Sequence, residues 1–219
     1  FLNAMGAKIR GAGTDVIKIE GVSELKGIRH AVIPDRIEVG TFMTAAAITR
    51  GKVTLENVIP THVQPIVAKL RETGAKVWEK DDCIEVLGSA KILAVDIKTM
   101  PYPGFPTDMQ SQFMALLSLA EGTSVIVENV FENRFQVVDE LKRMGARIKL
   151  EGHTAVIKGG NKLYGTCVKA TDLRAGAALV LAALAAEGET DIGQVHHISR
   201  GYENIVEKFT GLGAQLWFL

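Results

Sequence analysis

Cysteine, net charge and long apolar runs are all scarce in this chain. Its two cysteines, Cys83 and Cys167, stand far apart and without CxxC spacing. That excludes a disulfide framework and a zinc ribbon, and it points to a reduced, cytoplasmic compartment. The 25 basic and 25 acidic residues cancel, so no basic excess marks a nucleic-acid binder and no acidic tail is present. The longest apolar run, Ala175 to Ala186, has 12 residues and is rich in alanine. It is well short of the roughly 20 residues that cross a bilayer, so it reads as a buried helix and no membrane partner is expected. His196–His197 lacks a spaced carboxylate or cysteine, which leaves no metal site to expect. Gly11 and Gly13 in "GAGTDVIKIEG" do not complete GxGxxG; that stretch reads as a hairpin turn.

What is there is a repeat. With 219 residues, 47% hydrophobic and 23% charged, the chain is long enough for one large domain or one domain and part of another. A helix ending in Gly-Ala, followed by a strand, recurs as "KLRETGAKVW" (69–78), "ELKRMGARIK" (140–149), "KFTGLGAQLW" (208–217) and, shortened, "FLNAMGAKIR" (1–10). Upstream stand "TRGKVTLENV" (49–58), "AEGTSVIVENV" (120–130) and "AEGETDIGQV" (186–195). Gly51 to Gly74 and Gly122 to Gly145 span 23 residues each, and Gly188 to Gly213 spans 25. These matched spacings define a unit of about 65–70 residues repeated three times.

Each unit reads as βαβαββ-like. An apolar helix stops at Gly51, Gly122 or Gly188, where a glycine suits a left-handed C-terminal cap. A short strand and an amphipathic helix follow; in Arg134–Met144, residues Val137, Val138, Leu141 and Met144 form one stripe. The helix stops at the next glycine and leads to paired strands, Arg147–Leu150 and Ala155–Lys158 in the second unit. The helices Phe42–Thr49, Met109–Ala120 and Ala175–Ala186 are apolar nearly all round, so they belong inside, walled by the strands. The expected fold is α/β, an inside-out barrel over residues 35–219. Residues 1–34 read as the end of a preceding similar domain plus a hinge. Because the chain opens at Phe1, within one copy of the motif, a fragment or cleaved product is expected.

An aspartate precedes each apolar helix: Asp35 with Arg36 in "PDRIEVG", Asp108 in "FPTDMQ", and Asp172 with Arg174 in "ATDLRAG". Two readings stand side by side. Aspartate is a favoured N-cap, accepting from the first free N–H groups. If the helices run parallel, however, three carboxylates and two guanidiniums gather at one end, a surface suited to an anionic ligand and a proton transfer. Arg134 in "FENRF" and Arg200 in "HHISRGYE" each follow a strand and open an amphipathic helix, where the helix dipole disfavours a cation. Cys83 and Cys167 read as ordinary strand residues with no activating base nearby.

"FPTDMQSQFMALLSLAEGTSVIVENVFENRF", "ATDLRAGAALVLAALAAEG" and "RGYENIVEKFTGLGA" resemble the UDP-N-acetylglucosamine enolpyruvyl transferase family, over the whole chain and as the second half of that family's sequence. The resemblance implies two similar domains, each an inside-out α/β barrel of three repeats. It implies transfer of the enolpyruvyl group of phosphoenolpyruvate to the 3′-hydroxyl of UDP-N-acetylglucosamine, with release of phosphate, at the start of peptidoglycan synthesis. It carries over Asp108 as the residue that contacts that hydroxyl and serves as base, Val130 as a backbone contact to the sugar nucleotide, and Arg134 at the rim of that site. Arg174 and Arg200 match the arginines that hold phosphoenolpyruvate. Asp35, Arg36 and Asp172 match polar residues of the inter-domain cleft. The family's Lys-Asn pair and reactive cysteine loop belong to the other half, and neither Cys83 nor Cys167 matches that cysteine. The chain is thus expected to carry one wall of the site, to need its N-terminal half as partner, and to be inactive alone.

Three other readings compete. The sibling transferase acting on shikimate 3-phosphate would need extra cations for its anionic acceptor. A non-catalytic binding or scaffold domain could reuse the repeat. An RNA-end-modifying enzyme of related repeats is opposed by the zero net charge.

Overall fold

The computed structural model describes residues 1–218 and divides into two compact units, Phe1–Ile33 and Pro34–Leu219. The first unit holds a small antiparallel hairpin, β1 (Lys8–Arg10) with β2 (Lys18–Glu20), in the register Lys8↔Glu20 and Arg10↔Lys18. Its turn begins at Gly11, whose φ of 80° and 2.2 Å clearance from a built Cβ to the Val16 carbonyl admit only glycine. The Asn3 side chain braces β1 by accepting from the Ile9 N–H at 2.8 Å and donating to its carbonyl at 2.7 Å.

The second unit runs α1 (Arg36–Ile48), β3 (Lys52–Leu55), α2 (Gln64–Glu72), β4 (Lys76–Lys80), β5 (Cys83–Leu87), β6 (Ile97–Lys98), α3 (Gln110–Ser118), β7 (Thr123–Val127) and α4 (Val137–Arg143). It continues with β8 (Arg147–Glu151), β9 (Thr154–Lys158), β10 (Cys167–Lys169), α5 (Leu173–Leu184), β11 (Asp191–Gly193), α6 (His196–Ser199) and α7 (Ile205–Gly211). One sheet has the order β3-β5-β4, antiparallel throughout. A second, β6-β7-β9-β8, joins a parallel β6–β7 pair to two antiparallel pairs. The third pairs β10 with β11 in parallel.

The helices α1, α3 and α5 pack on one another and form the centre. Every residue of α3 is buried, as are Ala175–Ala182 of α5 and all of Ile37–Ile48 except Glu38 in α1. Helices without a polar face have nowhere to sit but inside. Close approach also needs small residues. A Cβ on Gly176 would come within 2.4 Å of Ile198, and one on Gly40 within 2.8 Å of Ile66 and Met109. The outer helices α2 and α4 bury one stripe each: Ile66, Val67 and Leu70, and Val137, Val138 and Leu141. Phe113, fully buried in α3, marks how tightly the centre is filled; Phe113→Ala is expected to cost about 3–5 kcal/mol of stability.

Several local expectations need correcting. Gly122 (φ 113°) and Gly188 (φ 90°) take left-handed backbone after their helices, but in the first repeat Arg50 (φ 58°) does so and Gly51 does not. Counted back from the equivalent glutamates Glu56 and Glu128, it is Arg50 and not Gly51 that stands where Gly122 does. Helix α4 starts at Val137, three residues beyond Arg134. Arg200 ends α6 as its C-cap, and the amphipathic α7 begins only at Ile205. The dipole argument for both arginines therefore lapses.

Candidate active site

The three aspartates separate into two kinds. Asp35 caps α1, accepting from the Ile37 N–H at 2.7 Å. Asp172 caps α5, accepting from the N–H groups of Arg174 at 2.7 Å and Ala175 at 3.0 Å. Asp108 caps nothing. It lies in a single 3₁₀ turn, Thr107–Met109, where the Met109 N–H is already taken by the Pro106 carbonyl. With that N–H taken, the Asp108 carboxylate is left for other partners.

Those partners are two arginines. Oδ1 of Asp108 accepts from Arg134 Nη2 at 2.8 Å, and Oδ2 accepts from Arg174 Nη2 at 3.2 Å. The guanidinium side chains are 10% and 13% exposed, against 37% for Asp108, so the carboxylate is the part of the cluster that faces out. Two cations on one anion leave a net positive charge. Arg134 also lies over the Phe131 ring at 4.3 Å, and its buried Nε has no partner among the described residues.

Behind the cluster sits Tyr202, 1% exposed. Its hydroxyl is 2.9 Å from Thr41 Oγ1 of α1. Thr41 gives its own hydrogen to the Ile37 carbonyl at 2.8 Å, so the phenol donates to Thr41. It accepts from Gln112 Nε2 of α3 at 3.4 Å and from Arg174 Nη1 of α5 at 3.4 Å. One phenol thus joins the N-terminal halves of all three central helices. Burial pushes the Tyr202 pKa above its ordinary value, against the lowering pull of Arg174 and Gln112, which donate to the phenol oxygen. Burial also opposes the Arg174 charge, yet Tyr202 and Asp108 together outweigh it and hold that guanidinium's pKa above the usual one.

A second carboxylate organises the flanking loops. Glu128, 2% exposed at the end of β7, accepts at Oε1 from Thr99 Oγ1 (2.7 Å), Val130 N (2.9 Å) and Phe131 N (3.0 Å), and at Oε2 from Thr107 Oγ1 (2.9 Å). The Val130 N–H is therefore spent inside the protein, while its carbonyl accepts no hydrogen bond among the described residues.

The remaining candidates lie apart from this network. Arg200 is exposed; its backbone N–H donates to the Ile198 carbonyl, and its side chain makes no hydrogen bond or ion pair among the described residues. Arg36 stacks over the Tyr102 ring at 5.2 Å. Asp35 borders a groove of about 420 Å³ along α1 and β3, lined by Phe42, Val53 and Leu55, which holds none of Asp108, Arg134 or Arg174. Among the described residues no three His, Cys, Asp or Glu side chains gather as a metal site, and no helix is long and apolar enough to cross a membrane.

The chain thus combines an α/β fold centred on apolar helices with an arginine-flanked carboxylate where two of them start. Residues 1–209 match the family EPSP synthase (3-phosphoshikimate 1-carboxyvinyltransferase), and the chain belongs to this family of enolpyruvyl transferases. Among its relatives are a UDP-N-acetylglucosamine 1-carboxyvinyltransferase of Desulfofundulus thermocisternus, 66% identical over 99% of this chain and 90% of that protein, and a UDP-N-acetylglucosamine 1-carboxyvinyltransferase 1 of Caldanaerobacter subterraneus subsp. tengcongensis, 61% identical over 99% of this chain and 52% of that one. Of solved structures, the enolpyruvyl transferase NikO from Streptomyces tendae superposes with a TM-score of 0.84 at 32% identity, covering 97% of this chain and 51% of that one. EPSP synthase from Acinetobacter baumannii shares the fold, with a TM-score of 0.75 at 22% identity. Apart from the Desulfofundulus protein, the chain spans about half the length of these relatives.

Proposed function

We propose that this chain is the C-terminal half of an enzyme that transfers the enolpyruvyl group of phosphoenolpyruvate to the 3′-hydroxyl of UDP-N-acetylglucosamine, releasing phosphate, in the cytoplasmic opening step of peptidoglycan synthesis. Residues 35–219 form a three-repeat inside-out barrel, and residues 1–34 belong to the end of the preceding, similar domain. The observation that carries the reading is the half-exposed Asp108 carboxylate held between Arg134 and Arg174 at 2.8 and 3.2 Å.

The chemistry needs such an arrangement. As the sugar oxygen bonds to C2 of phosphoenolpyruvate, the hydroxyl loses its proton and C3 gains one; C3 then gives up a proton as phosphate leaves, and the double bond returns. Asp108 takes the hydroxyl proton, and the acid for C3 comes from the N-terminal half. Phosphoenolpyruvate carries a carboxylate and a phosphate, so convergent guanidiniums suit it. Arg174 meets it from the cluster. Arg200, unpaired and exposed, joins when the two domains close. The Val130 carbonyl is the group left to accept from the sugar nucleotide. Arg134 acts on the sugar through Asp108, whose carboxylate it fixes. Asp35 and Asp172 serve as caps, and Arg36 packs on Tyr102.

The names of the relatives favour this acceptor over shikimate 3-phosphate. Phosphate release by the enzyme with both halves, assayed with phosphoenolpyruvate and each acceptor in turn, tests the reading. Turnover with UDP-N-acetylglucosamine and none with shikimate 3-phosphate is expected, and the opposite result overturns it. The 219-residue chain alone is expected to release no phosphate.

A further inference from the structure

We propose that Glu128 is the positioning residue of this site, the single group that sets Asp108 and Arg134 at their working separation. The proposal rests on the transferase reading above. Glu128 is a buried carboxylate with no lysine or arginine bonded to it among the described residues. Four neutral donors converge on it instead, two hydroxyls and two backbone N–H groups. Desolvating an ion costs more than desolvating a neutral group of the same size, so holding a turn for stability alone would not call for one. The donors come from three places: Thr99 ends β6, Thr107 opens the turn that carries Asp108, and Val130–Phe131 begin the loop that carries Arg134. The same carboxylate thus tethers the residue before Asp108 and the strand-end loop that delivers Arg134. Asn129 N–H closes the knot by donating to Thr99 Oγ1 at 2.9 Å. Because Oε1 engages both Val130 and Phe131 N–H groups, Glu128 also turns the Val130 carbonyl outward.

The contrast with the first repeat supports a specific role. "GKVTLENV" carries Glu56 where "GTSVIVENV" carries Glu128, yet Glu56 is exposed. The first repeat shows no aspartate–arginine ion pair among the described residues, and its glutamate is not recruited.

The test uses the enzyme with both halves, with Thr107→Val, Glu128→Ala and Glu128→Gln, each checked for thermal unfolding and assayed well below its midpoint. Thr107→Val removes only the Oε2 bond. It is expected to fold and to lose turnover about tenfold, with the KM for phosphoenolpyruvate unchanged. Glu128→Ala loses the whole tether, and turnover falls roughly 100-fold, the effect of an ångström-scale misplacement. Glu128→Gln keeps an oxygen for the three Oε1 donors and turns its amide to donate to Thr107 Oγ1, so it recovers to within about fivefold of wild type. Wild-type turnover of Thr107→Val overturns the proposal, as does a Glu128→Gln enzyme no better than Glu128→Ala. If Glu128→Ala does not fold, Thr107→Val carries the test. An inactive wild-type enzyme would instead defeat the transferase reading, so the two failures are distinct.

Discussion

Asp172 and Asp108 stand at corresponding places, each just ahead of an apolar central helix, and they do different work. Asp172 spends its carboxylate on the N–H groups of its own helix. Asp108 spends both oxygens on arginines from elsewhere in the sequence. The difference lies in three residues of backbone. In α5 the extended Asp172 leaves free N–H groups for its side chain, whereas the 3₁₀ turn before α3 closes on Pro106 and needs no side-chain cap. The lesson is that a helix N-terminus frees its acid for chemistry only where the backbone has capped itself.

Several substitutions would break or sharpen this contrast. The largest effect is expected from Asp108→Ala, which removes the proposed base: turnover of the enzyme with both halves should fall by roughly two to four orders of magnitude. Arg174→Ala should follow, with about 2–3 kcal/mol lost from kcat/KM for phosphoenolpyruvate, less than a fully buried pair would lose because Asp108 is 37% exposed. Asp172→Ala should lower stability by about 1 kcal/mol, the worth of an N-cap, with Asp172→Asn within a few tenths of wild type; thermal unfolding reads both.

The smallest effect concerns alkaline pH. Because burial raises the Tyr202 pKa above its model-peptide value of 10.0, the folded protein holds that proton more tightly than the unfolded chain. The stabilisation is complete below pH 10 and is lost as pH rises through the raised pKa. Tyr202→Phe should therefore flatten the loss of stability above pH 10 relative to wild type. An unchanged slope would place the titration elsewhere.

Much of the fold was legible because α1, α3 and α5 have no polar face, and a helix of that kind is buried whatever its neighbours. The helix limits were less legible. Arg134 and Arg200 looked like helix starts because each precedes an amphipathic stretch, but α4 and α7 begin three and five residues later. Within the site, Asp108, Arg134 and Arg174 were visible as charged residues beside the helix starts. Glu128 was not, since Glu56 carries the same local sequence and stays in solvent. Tyr202 was missed for a related reason. Its importance comes from Thr41, Gln112 and Arg174, which lie 161, 90 and 28 residues away and are brought together only by the packing of three helices.

The most direct measurement is turnover and thermal stability of Asp108→Asn beside Asp172→Asn in the enzyme with both halves. Asparagine caps helices about as well as aspartate, so both variants should unfold within a few tenths of a kcal/mol of wild type and both should bind UDP-N-acetylglucosamine. The account predicts that Asp172→Asn keeps its turnover within a few fold while Asp108→Asn loses about 10²–10⁴-fold. Normal turnover in Asp108→Asn would contradict it and make Asp108 one more structural carboxylate.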